Sequence, residues 1–188
     1  MMVFVRSIAI AAMLATPVLA AFSAIPARAD IEVLFADPAR FTDAGLHRER
    51  GLRATEPTVE GLHEHLSQLG QRHLAPGQSL RIEIRDIDLA GRYEPWRAHT
   101  RDVRVLRDIT WPRIALRWVL EEDGVLVAEA EETIRDLEYL TRTAGRRSGD
   151  LLHYEKAMLD DWFRSRIVER RPVAGDGARG RVQPAGLF

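Results

Sequence analysis

Two hydrophobic periods take turns along this chain, and their order predicts its elements. In "DIEVLFADP", Ile31, Val33 and Phe35 alternate with Glu32 and Leu34, a short strand stopped at Asp37-Pro38. The polar stretch "ARFTDAGLHRERGLRATEP" is expected to be connecting structure. Next, "TVEGLHEHLSQLGQRHL" places Val59, Leu62, Leu66, Leu69 and His73 or Leu74 on one helical face, with Thr55 or Thr58 as a candidate cap. From Ser79 the period drops to two, so that Leu80, Ile82 and Ile84 oppose Arg81, Glu83 and Arg85. Ile114, Leu116, Trp118 and Leu120 repeat that alternation, and "EEDG" supplies an Asp-Gly turn into the returning strand "VLVAEAEETIRD". A second amphipathic helix is expected in "DLLHYEKAMLDDWFRSRIVERR". Its stripe runs Leu152, Glu155 or Lys156, Leu159, Trp162 with Phe163, and Arg166, behind a cap at Asp150.

This order predicts a single α+β domain: a mostly antiparallel sheet of four to five strands with two amphipathic helices packed on one face. The domain is expected to span residues 30–171, and the period-free tail from 172 to 188 is expected to be disordered.

One phase error interrupts the pattern. If the strand from Leu80 continued unbroken, Asp86 and Asp88 would join Ile84 on the apolar face, and Ile87 and Leu89 would turn outward. Burying two unpaired carboxylates is costly. A one-residue bulge near Arg85-Asp86 restores the phase and sends the aspartates to the polar face. Burial against a nearby arginine is the second reading and a metal site the third, since two oxygen ligands fall short of what Ca²⁺ wants.

The first 29 residues read differently. Arg6 supplies a short positive region, an apolar core follows, and "ARA" precedes Asp30 as a cleavage site, the layout of a secretory signal peptide. Cleavage after Ala29 would place the protein in the periplasm. Loss of Arg6 and Arg28 would shift the net charge from −1 to −3. That balance gives no basic footprint for nucleic acid, and no other apolar segment approaches a membrane span. The chain has no cysteine, which excludes disulfides, thiol chemistry and cysteine-ligated metals. Lys156 is the only lysine among the 27 basic residues, and the arginines are scattered among acids, a pattern read as composition rather than recognition.

Candidate chemistry is sparse. His63 and His65 are two apart on a helix, the wrong spacing for a helical zinc pair, and His47, His73, His99 and His153 stand singly. No serine lies in a nucleophile elbow and there is no glycine-rich phosphate loop. The loop with Arg142, Arg146 and Arg147 is expected to be solvated, with anion binding as the alternative. Tyr93, Pro95 and Trp96 follow a turn at Gly91 and form a candidate binding lip, with packing at the edge of the core as the alternative.

The blocks "GQSLRIEIRDIDLAGRYEPW", "RVLRDITWPRIALRW" and "YEKAMLDDWF", with "F.DP..FTD" before them, resemble the bacterial envelope family called domain of unknown function 3016. The resemblance covers Ile31 to Phe163 and implies a small exported protein, without implying an activity or catalytic residues. The functional expectation is therefore a non-enzymatic binding or interaction module of the cell envelope that uses no cofactor. Its partner would be an envelope protein or a small molecule, met through Tyr93, Trp96, Asp86 and Asp88, and its oligomeric state stays open. The rival is a metal-dependent or acid/base hydrolase that uses Asp86, Asp88, Asp108 and His99.

Overall fold

The computed structural model describes residues 28–46, 52–94, 96, 104–142, 149–170 and 179–182. Residues 1–27 of the expected signal peptide, His47, His99, Pro95, Arg146, Arg147 and most of the tail lie outside the described residues. Among the described residues the strands and α-helices follow one another as β1 (Asp30–Phe35), α1 (Leu52–His73), β2 (Gln78–Asp88), β3 (Arg92–Tyr93), β4 (Arg104–Val105), β5 (Arg113–Glu122), β6 (Val125–Arg135), α2 (His153–Phe163) and β7 (Arg179–Val182). One sheet runs β1-β2-β5-β6-β7, and β3 with β4 makes a separate small hairpin. No helix among the described residues is long and apolar enough to cross a membrane.

The expected α+β domain is thus present, with a mixed sheet. β1 pairs parallel to β2, while β2, β5 and β6 pair antiparallel in turn. The parallel pair follows from the order of elements: α1 lies between β1 and β2 and supplies the crossover that parallel neighbours need. The Asp123-Gly124 turn joins β5 to β6 with both residues at positive φ, 51° and 77°, the backbone of a type I′ hairpin turn. Within the tail expected to be disordered, Arg179–Val182 pairs against Ala128–Glu131 as an edge strand.

The bulge lies where the phase error predicted it. Ile84 pairs with Leu116 and Asp86 with Ala115, so Arg85 has no partner on β5. Ile82, Ile84 and Ile87 are all fully buried as a result. They meet Leu62 and Leu66 of α1, Leu159 and Phe163 of α2, and Leu116, Trp118 and Leu120 of β5 in one core. The opposite face stays polar, with Arg85 paired to Glu131 at 2.7 Å and Arg81 to Glu32 at 2.6 Å. That is the division expected of a sheet covered on one side.

Two helix boundaries differ from the periodicity. α1 begins at Leu52, with Pro57 inside it, and not at a threonine cap. Thr58 is buried instead and donates its hydroxyl to the Ala44 carbonyl at 2.6 Å. A buried hydroxyl needs an acceptor, and this one ties the helix to the preceding loop. Asp150 sits one turn ahead of α2 and accepts the Leu152 N–H at 2.9 Å and the Lys156 ammonium at 2.7 Å.

One acid joins α2 and the residues after it to the sheet by hydrogen bonds. Glu132 of β6 accepts the indole N–H groups of Trp118 and Trp162 on Oε1, at 3.0 and 2.9 Å. Its Oε2 accepts the Arg166 Nε–H at 3.1 Å. The two indoles meet edge to face at 6.4 Å between centroids.

Candidate functional site

After the bulge, β2 changes neighbours. β1 ends opposite Ile84, and beyond it Asp43 takes over: its N–H donates to the Ile87 carbonyl and the Leu89 N–H donates to its carbonyl, both at 2.9 Å. Asp86 fixes the same loop, because its two oxygens accept the Thr42 N–H at 2.7 Å and the Thr42 hydroxyl at 2.8 Å. Asp86 is half-buried, as the bulge reading expects.

Asp88 departs from that reading. It is buried, 7% exposed, and bridges Arg92 at 3.1 Å and Arg113 at 3.0 Å. Bulge and buried ion pairing therefore occur together, where the sequence presented them as alternatives. Burial raises the Asp88 pKa, and the two guanidinium groups work against that rise.

Arg104 on β4 is the centre of the arrangement. Its Nε–H donates to the Ala90 carbonyl at 3.0 Å. Nη1 donates to Gly45 O and Asp43 Oδ1, and Nη2 to Leu89 O, Gly91 O and Asp43 Oδ2, all between 2.9 and 3.2 Å. The guanidinium lies 5.1 Å from the centre of the Tyr93 ring, within cation–π range. The Tyr93 hydroxyl in turn donates to the Leu46 carbonyl at 2.6 Å. Gly91 completes the turn at φ 78°, where a Cβ would meet the Val105 carbonyl oxygen at 2.9 Å. One planar fork thus gathers the 43–46 loop, the 89–91 turn and the small hairpin, a geometry an ammonium cannot reproduce.

Beneath the turn, Glu155 of α2 is 1% exposed and accepts the Ala90 N–H on Oε1 at 2.7 Å. Its Oε2 has no hydrogen-bond partner among the described residues. Burial raises its pKa from the ordinary 4.5, against the pull of the Ala90 N–H and Arg104. Above that ordinary value the folded chain retains a proton that the unfolded chain has lost. Stability contributed here is therefore full at low pH and falls as pH rises through the raised pKa. Glu155→Gln keeps an acceptor for Ala90 and cannot ionise. Its thermal midpoint should exceed the wild type by a few degrees at pH 8, and the difference should vanish near pH 4. A difference independent of pH would show that Glu155 is charged in the fold.

The remaining candidates disperse. Trp96 is 74% exposed, whereas Tyr93 is half-buried and held by Leu46 and Arg104. Asp108 is exposed in a turn closed by the Thr110 N–H and the Arg107 carbonyl, and no hydrogen bond or ion pair among the described residues joins it to Asp86 or Asp88. Among the described residues, no group of three or more His, Cys, Asp or Glu side chains could hold a metal ion. His65 binds Asp160 at 2.9 Å across the two helices. Arg142 pairs with Asp136 and with Asp161, so it is not a solvated loop cation.

What this site holds is fixed charge. Asp43 and Asp88 face arginines, which do not release protons. Beside them opens a cleft of about 200 Å³ lined by Asp88, Arg92, Ile109, Thr110, Trp111 and Arg113. Arg104, Asp43 and Glu155 were not among the residues the sequence singled out. Glu155 alone had a local signal, an acid on the apolar stripe of α2.

The family model described as a protein of unknown function, DUF3016, matches residues 29–165. No curated protein and no solved structure matches the chain.

Proposed function

The chain belongs to the DUF3016 family, and from that footing we propose an exported periplasmic domain that works by binding another envelope component. The observation behind this is Trp96: it stands 74% exposed in the connection between β3 and β4, in a hairpin that Arg104 and Tyr93 tie to the domain. A large aromatic side chain presented in this way is the usual anchor of a protein contact. The charged groups nearby are engaged with one another, which favours a structural part for them over a catalytic one. The leader with its "ARA" site supports export.

The test is recovery of a partner from the envelope fraction of the native cell. Wild type and Trp96→Ala, each crosslinked in place, should differ by loss of one reproducible species. The variant's thermal midpoint should stay at the wild-type value, because exposed substitutions change stability by about 0.5 kcal/mol or less. Equal recovery by the variant would remove Trp96 from the proposal.

A further inference from the structure

We propose that the cleft between the end of β2 and the 109–113 segment is a binding site for a small monocarboxylate with a flat apolar body. Its lining combines two guanidinium groups with one carboxylate. Both arginines are about half exposed, at 48% and 43% of their side-chain surface, and both are held by the buried Asp88, with Asp43 as a second partner of Arg92 at 3.4 Å. That anchor positions the donors before any ligand arrives, which reduces the ordering cost of binding. Arg113 gives one Nη2 N–H to Asp88, and no other acceptor among the described residues takes its side-chain donors. A guanidinium in that state is suited to a planar carboxylate through paired N–H bonds.

The rest of the lining is Leu89, Ile109 and Trp111, with Thr110, whose hydroxyl is already given to the Arg107 carbonyl. Trp111 packs against the buried Tyr139 and Tyr154 cluster, which fixes its ring, and Ile109 is 69% exposed at the mouth. The volume of about 200 Å³ is below that of a drug-sized pocket, roughly 300–1,000 Å³. A single ring or short branched chain bearing one carboxylate is the matching size. Trp96 does not line this cleft, so the site stands independently of the partner surface proposed above.

The probe is sodium benzoate, titrated into ¹⁵N-labelled protein, with acetate, inorganic phosphate and benzylamine as comparisons. Benzoate should give saturable shifts in the amides of Ile109, Thr110 and Arg113 and in the Nε–H groups of Arg92 and Arg113. Acetate should bind about tenfold more weakly for want of apolar contact, and benzylamine should leave these signals unmoved. Arg113→Met and Ile109→Glu should each weaken benzoate about tenfold or more. Ile109 is exposed, so its variant keeps the fold and tests the cleft even if the Arg113 variant is unstable. Non-saturating shifts, an equal response to phosphate and benzoate, or wild-type affinity in Ile109→Glu would each overturn the proposal.

Discussion

Replacing Arg104 with alanine should lower the unfolding free energy by about 3–5 kcal/mol, the range found when one partner of a buried ion pair is removed. Four backbone carbonyls and Asp43 lose their donor together. Arg104→Lys should recover little of this loss, because a three-donor point charge cannot reach carbonyls on both sides of a turn while facing a carboxylate. Urea denaturation followed by circular dichroism reads both variants. A domain of this size has about 5–15 kcal/mol in total, so the alanine variant should unfold at a clearly lower midpoint. A loss under about 1 kcal/mol would mean that Arg104 is a surface residue in solution.

Glu132→Ala should cost a similar amount, about 3–5 kcal/mol, for a different reason. Removing the carboxylate leaves two indole N–H groups and the Arg166 Nε–H without their acceptor, between α2 and the sheet. Glu132→Gln keeps one oxygen for the indoles and gives up the charge toward Arg166, so it should cost about 1–2 kcal/mol. Near-ultraviolet circular dichroism should report the alanine change directly, since Trp118 and Trp162 contact each other edge to face. Unaltered tryptophan signals with full stability would show that the acid does not join them.

The sheet and its bulge were legible because they depend on a period of two. The count of apolar positions slips by one between Ile84 and Ile87, and only an extra residue in the strand restores the buried face. The start of α1 was not legible, because Leu52 to Pro57 shows no stripe and contains a proline. At the site, legibility ended with pairings distant in sequence. Arg113 faces Asp88 through the register of β2 on β5, and Arg104 reaches Asp43 across 61 residues. Nothing in the local pattern separates these two arginines from the others. Two acids were readable in principle. Glu132 continues the inward positions of Ala128 and Ala130, and Glu155 sits on the stripe of α2. An acid on a face otherwise apolar is the local sign of a buried acceptor, and both residues turn out to be one.

Of the aspartates that first suggested chemistry, Asp86 holds the loop at Thr42 and Asp88 holds Arg92 and Arg113, and the surfaces proposed for binding are Trp96 and the cleft those arginines line. The most direct test is amide hydrogen exchange at the turn that Arg104 encloses. Leu89, Ala90 and Gly91 donate their N–H groups to Asp43, Glu155 and Thr110. In the wild type these amides should be protected to within about tenfold of Leu116 to Leu120 in the core of β5. In Arg104→Lys their protection should collapse while a larger share of that of β5 survives. Exchange of all three at the rate of an open loop in the wild type would contradict a rigid scaffold and return Asp86 and Asp88 to a mobile segment.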